Sequence, residues 1–157
     1  MRALTFQDGR VQLEERPRPV PGDGEALIAL RRAGICSTDL HIMSGYMDYQ
    51  GVLGHEFVGE VVSCADPAWL GRRVVGEINL PCRQCEMCTS GHPRHCPTRT
   101  VLGILGKDGC FADYLTLPIA NLHGIPDELS DECAVFAEPT AAAFEILEQT
   151  HWERGTR

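Results

Sequence analysis

Nowhere in the 157 residues does an apolar run approach the length of a membrane span. The opening MRALTFQDGR turns polar at once instead of running into the apolar core of a secretory signal. Together these absences lead to the expectation of a cytoplasmic chain that neither crosses nor is exported through a membrane. Positive charge is scarce as well, with 14 Lys and Arg against 22 Asp and Glu and a formal net charge of −8. No basic face of the kind that holds nucleic acid follows from such a balance. No internal repeat or low-complexity tract is visible. A nucleotide-binding fingerprint, G-x-G-x-x-G after a strand, is also missing: the glycines of GILGKDG stand three apart, and GDGEAL lacks both a third glycine and the strand–helix setting.

What is present fits one domain, residues 1–157, long enough to bury a core without staples. Its apolar segments are short, rich in Val, Leu and Ile, and punctuated by Gly and Pro: MRALTF, EALIALRRAGI, EFVGEVVSC, RRVVGEI and FADYLTL. Such segments predict strands and turns, with RPRPVPGDGEAL as the turn before the second long strand. Only two stretches predict helix. STDLHIMSG is short, and TAAAFEILEQT sets Ala143, Phe144 and Leu147 at helical spacing behind Pro139, a residue tolerated near a helix start. The expectation is a mainly β, barrel-like domain closed by a C-terminal helix.

Four of the eight cysteines crowd into residues 79–100 as C-x2-C-x2-C-x7-C: Cys82, Cys85, Cys88 and Cys96. In a reducing compartment clustered cysteines bind metal or do redox chemistry more often than they form disulfides. Two-residue spacers let a tight turn bring successive sulfurs onto one ion, and the longer loop returns the last sulfur to close a tetrahedron, the form of a structural Zn²⁺ site. Two other readings stay open. Cys96-Pro97 echoes the end of a ferredoxin iron–sulfur run, although the last gap is seven residues and no second set exists; four unliganded thiols are the plainest alternative. Arg83, Arg94 and Arg99, set against Glu86, gather positive charge where thiolates would need it, or form an ordinary solvated basic loop.

A sparser set consists of Cys36 in GICSTDLH, His55 and Glu56 in VLGHEFVGE, and Glu138 in FAEPTAAAF. Taken singly these are weak signals, since a lone cysteine after an apolar strand is usually core. At these spacings and beside the cysteine lobe, the whole chain resembles the zinc-dependent alcohol dehydrogenases of the medium-chain dehydrogenase/reductase superfamily. The resemblance implies a GroES-like, partly open β-barrel with few short helices and a structural zinc lobe over 79–100. It implies a catalytic zinc on Cys36 and His55, a second, structural zinc on the four lobe cysteines, and NAD or NADP as hydride acceptor. Where the family's third cysteine ligand would fall, this chain has Glu138. That makes it similar to the polyol and threonine dehydrogenase branches, in which Glu56 stands close enough to join the metal or exchange with water. Cys133, five residues earlier, is a substitute ligand or plain core packing. By the same resemblance Asp39 holds the imidazole of His55, or is simply a helix-start aspartate. Thr38 takes the alcohol's proton, and His41 is either the end of the proton relay or an ordinary surface histidine. Tyr46, Met47 and Tyr49 line a pocket or pack on the barrel.

The resemblance also implies what should accompany this domain. In the family a Rossmann domain follows the catalytic half, at the point where this chain reads HWERGTR. The expectation is therefore the catalytic domain of a dehydrogenase acting on a small alcohol or polyol. Its nucleotide-binding domain would be supplied by a downstream segment or a separate chain, and an uncovered face would favour homo-oligomers. The competing reading is a zinc-binding or interaction module of the same fold that turns nothing over.

Overall fold

The structure is a computed structural model that describes residues 1–150; HWERGTR, where the family would enter its first nucleotide-binding strand, lies outside the described residues. Among the described residues, eleven strands fall into three sheets instead of one closed barrel. The first sheet has the order β2-β1-β4 and is built from β1 (Arg2–Gln7), β2 (Arg10–Glu15) and β4 (Gly51–Val52). The central five-stranded sheet, β10-β3-β5-β6-β11, comprises β3 (Glu25–Gly34), β5 (Glu56–Cys64), β6 (Arg73–Gly76), β10 (Tyr114–Pro118) and β11 (Leu122–Gly124). A third, small sheet joins β7 (Asn79–Leu80), β8 (Thr100–Leu102) and β9 (Gly106–Lys107), and brackets the cysteine lobe at its two ends.

The five segments expected to be strands are β1, β3, β5, β6 and β10. The missed ones are short, or, like β2, largely exposed and stabilised by pairing with β1 instead of by apolar patterning. The main core lies where β3, β5 and β10 meet, with Ile28, Phe57, Val61, Val74, Leu102 and Leu117 among its members. Along each central strand these residues fall at alternate positions, whereas Val58, on the other face of β5, packs with Ala134 and Val135; a strand buried on both faces reads as a nearly continuous apolar run.

Helix α1 (Ser37–Met43) follows β3 directly, α2 (Glu86–Thr89) forms part of the lobe, and α3 (Asp131–Ala134) leads into α4 (Ala137–Gln149). Helix α4 begins two residues before Pro139, which as its third residue loses no intrahelical hydrogen bond. The expectation that this helix closes the core is corrected: no residue of α4 is buried, and Phe144 and Leu147 are 62% and 47% exposed. Its Ala137, Ala141 and Ala142 face the sheet instead, across a pocket of about 430 Å³. Small side chains leave that space open.

Asp131 fastens the approach to α4. Its carboxylate accepts from Arg31 Nε at 2.9 Å and from Arg73 Nε and Nη2 at 3.0 and 2.6 Å, tying α3 to β3 and β6. The hydrogen bond from Arg31 leads in holding its pKa below the usual aspartate value; burial opposes it, and the hydrogen bond and charge of Arg73 add to the lowering. A depressed carboxylate pKa stabilises the folded state above the unfolded pKa, and that contribution is lost as pH falls through the folded one. Asp131→Asn is therefore expected to lower the urea midpoint at pH 7, with the gap to the parent narrowing below about pH 4. A gap that is constant from pH 7 to pH 3 would contradict the assignment.

Candidate metal centres

The lobe leaves the body at β7 and returns at β8. Cys82 and Cys85 lie in its first loop, Cys88 in α2, and Cys96 follows the 3-10 turn Pro93–His95. Their sulfurs converge: Cys85 lies 3.5 Å from Cys88 and 3.8 Å from Cys96, and Cys82 lies 3.9 Å from Cys88. Four thiolates about 2.3 Å from a central Zn²⁺ define a tetrahedron with edges of about 3.8 Å, so the spacing fits that ion. Backbone N–H groups also favour thiolate here. The N–H of Gln84 leads, with the Thr98 hydroxyl and the N–H of Cys85, in bringing Cys82 down to about 6, and the N–H of Cys82 leads in lowering Cys96. Burial, then the neighbouring Cys85, pushes Cys88 up to about 12. Four crowded sulfurs cannot all ionise without a compensating charge, and a dication supplies it.

Two of the lobe arginines have defined work. Arg83, held at a left-handed φ of 60°, donates to Asn121 Oδ1 at 2.9 Å. Asn121 is fully buried, and its Nδ2 donates to the carbonyls of Glu77 and Asn79 at 2.9 and 2.8 Å. That amide joins lobe and sheet, a role no sequence pattern announced. Arg94 pairs with Glu145 of α4 at 2.7 Å, bridging lobe and helix, while Arg99 Nη1 donates to the carbonyl of Cys96 at 3.4 Å.

The second cluster assembles at the end of β3 and the start of β5. Cys36 is the N-cap of α1, and the ligand atoms of Cys36, His55 and Glu56 all lie within 4.8 Å of one another. Gly54 makes the turn that delivers them. At φ +91° and packed on the Phe111 ring, it occupies a conformation and a space that a side chain would not share. Asp39 binds the pieces together: it accepts from the N–H of Cys36 at 2.9 Å and from the N–H of Gly54 at 3.3 Å, and stands 3.5 Å from His55 Nδ1. The first of these bonds is the return half of a capping box.

His55 is almost fully buried, and its Nδ1 has no hydrogen-bond partner. Burial opposes protonation of the ring, but Asp39 and then Cys36 outweigh it and push the pKa up to about 9. An imidazole among a thiol and two carboxylates thus calls for positive charge, which a divalent cation can bring in place of the proton. With Asp39 facing Nδ1, Nε2 is left for such an ion. A donor set of one sulfur, one imidazole and one carboxylate suits Zn²⁺.

The other expected site residues fall around this cluster. Thr38 Oγ1 lies 3.6 Å from Cys36 Sγ, and His41 is exposed one turn further along α1. Glu138 is placed outside the three-residue cluster, in the first turn of α4 on the wall of the 430 Å³ pocket. It remains close enough to act electrostatically: burial raises its pKa, His55 opposes the rise, and Glu56 and Glu77 add to it. Cys133 is exposed and belongs to neither cluster. Tyr49 packs in the core with its hydroxyl 2.7 Å from the carbonyl of Val52, whereas Tyr46 and Met47 face solvent. None of the described helices is long and apolar enough to cross a membrane.

Comparison with known proteins gives a consistent result. The family model described as the alcohol dehydrogenase GroES-like domain matches residues 22–127. An L-threonine 3-dehydrogenase of Stenotrophomonas maltophilia (strain K279a) is 37% identical, the match covering 88% of this chain and 44% of the relative. A short chain alcohol dehydrogenase from E. coli CFT073, solved with NADH, superposes with a TM-score of 0.88 at 33% identity over 95% of this chain and 45% of that one. Galactitol-1-phosphate dehydrogenase from Escherichia coli gives a TM-score of 0.82 at 27% identity, over 94% and 45%. The chain thus spans less than half the length of these relatives.

Proposed function

Since this chain belongs to the family of alcohol dehydrogenase GroES-like domains, within the medium-chain zinc dehydrogenases, we propose that residues 1–157 are the catalytic domain of an NAD(P)-dependent enzyme that oxidises a small alcohol or polyol. The observation that carries this reading is the convergence of Cys36, His55 and Glu56 around a buried imidazole. We read two zinc ions per chain: a structural one on Cys82, Cys85, Cys88 and Cys96, and a catalytic one on Cys36, His55 and Glu56 with Glu138 beside it. The catalytic ion would supply Lewis acidity toward the substrate hydroxyl. Asp39, 3.5 Å from His55 Nδ1, would orient the imidazole toward the ion, and it joins α1 to the turn at Gly54. Thr38, next to Cys36, offers its Oγ1 to the substrate's hydroxyl proton. His41, three residues on and exposed, stands on the same side of α1 and releases that proton to water. The hydride acceptor would be held by a nucleotide-binding domain, encoded downstream or as a separate chain.

The pocket wall suggests a narrower class. Glu77 and Glu138 line it, while Glu145 is neutralised by Arg94. Two carboxylates that make no salt bridge among the described residues, beside the metal cluster, suit an alcohol that also carries an ammonium group, as L-threonine does.

The test is NAD(P)⁺ reduction with secondary alcohols, polyols and L-threonine by the zinc-loaded chain joined to a nucleotide-binding domain. Turnover is expected, and Cys36→Ser should lower it by about a thousandfold or more through loss of the open-site metal. Zinc binding without turnover in any such pairing would favour the non-catalytic module. Unchanged turnover in Cys36→Ser would overturn the site assignment.

A further inference from the structure

We propose that Gly34 is the residue that selects Glu56, and not Glu138, as the carboxylate of the Cys36–His55 cluster. The proposal rests on the metal-site reading above. Gly34 and Glu56 are direct cross-strand partners in the β3–β5 ladder. Side chains at such a pair project to the same face of the sheet and meet. Because Gly34 has no side chain, the Glu56 carboxylate folds over it. A Cβ at position 34 would collide with Glu56 Oε2, and would also lie 3.2 Å from Glu56 Cβ and 3.5 Å from its Cδ.

The glycine is not there for its backbone. Its φ is absent from the left-handed region that requires glycine at Gly54 and Gly103, so alanine can adopt the same conformation. Nor would the nearest collision be with something rigid, since Oε2 is the far end of a flexible side chain. The expected outcome of Gly34→Ala is therefore an intact sheet with a displaced carboxylate. A second carboxylate is at hand when Glu56 swings out: Glu138 lies in the first turn of α4, and that helix packs against β5, the strand that carries Glu56. One missing methyl group thus decides between two glutamates.

The experiment uses the full chain with its lobe occupied by Zn²⁺, titrated with Co²⁺ and followed by visible absorption. In the parent, Glu56→Gln is expected to weaken Co²⁺ binding by about tenfold or more and Glu138→Gln by much less. In the Gly34→Ala background the order should reverse, with Glu56→Gln changing affinity by less than about twofold and Glu138→Gln taking over the larger effect. If Gly34→Ala lowers the melting temperature, adding Glu56→Ala should restore most of it, because the severe collision is with Oε2, which that change removes, and only the 3.2 Å approach of Cβ remains. A Gly34→Ala protein in which Glu56→Gln keeps its full penalty, or whose instability Glu56→Ala does not relieve, overturns the selection by Gly34. Cys36→Ser separates the two levels: if it leaves Co²⁺ binding unchanged, the metal-site reading itself falls, and the proposal with it.

Discussion

Cys85→Ser is expected to halve the zinc content, from two ions per chain to one, and to lower the melting temperature by roughly 10 °C or more. Cys85 Sγ is in contact with both Cys88 and Cys96, at 3.5 and 3.8 Å, so its loss opens the tetrahedron from the middle. The lobe has two sheet strands of only two and three residues at its ends and little apolar core of its own. For such a segment metal binding is folding energy, and structural zinc supplies of the order of 10 kcal/mol in small domains. Losing even a third of that matters, because a domain of this size shifts its midpoint by about 2–4 °C per kcal/mol. The damage should spread beyond the lobe. Arg83 holds buried Asn121, and Arg94 holds Glu145 of α4, so an unfolded lobe releases both anchors. Metal analysis and a thermal melt decide it. A variant that keeps two zinc ions and melts with the parent would show that the four cysteines do not form one site.

Asp39→Ala should be the most damaging single change outside the metal ligands. Asp39 is 2% exposed and accepts hydrogen bonds from the N–H groups of Cys36 and Gly54. Removing it leaves the buried N–H of Gly54 without an acceptor, at about 1–3 kcal/mol, and the part-buried N–H of Cys36 at less. It also frees the ring of His55, and loss of the partner that orients a ligating histidine typically costs about 10–100-fold in metal affinity. The conservative variant separates these effects. Asp39→Asn keeps one of the two oxygens that accept from backbone N–H and sets an NH2 against the other donor, so it should recover only part of the stability; because it also removes the negative charge beside His55, it should recover little of the affinity. Competition with a chelator measures the second quantity and thermal melting the first. If Asp39→Ala matches the parent in both, Asp39 is only a helix-start aspartate.

Much of the architecture was legible from local pattern. The long strands announce themselves because the central sheet buries both of its faces, and the lobe because its four sulfurs lie close in sequence. Helix α4 shows the limit of that reading. Ala143, Phe144 and Leu147 stand at helical spacing, and the helix forms, but periodicity describes a stripe and not what covers it; here Phe144 and Leu147 face solvent. Helices α2 and α3 are four residues each, too short for any period to show.

The same division holds at the candidate site. By itself the sequence determined the candidate ligand types, the two groups into which they fall and the absence of a glycine fingerprint for nucleotide, because residue chemistry and short spacings are local properties. Only the tertiary structure decided which carboxylate stands with Cys36 and His55. Glu56 is adjacent in sequence and held over Gly34 by the pairing of β3 with β5, whereas Glu138 arrives on a separate helix, on the wall of a pocket, and is not one of the three residues whose ligand atoms converge. Likewise only the fold brought Asn121 under Arg83 and Asp39 under Gly54, across 38 and 15 residues of chain. Contacts of that separation depend on strand register and on the absence of a side chain at one glycine, and neither leaves a mark in the spacing of the residues that meet.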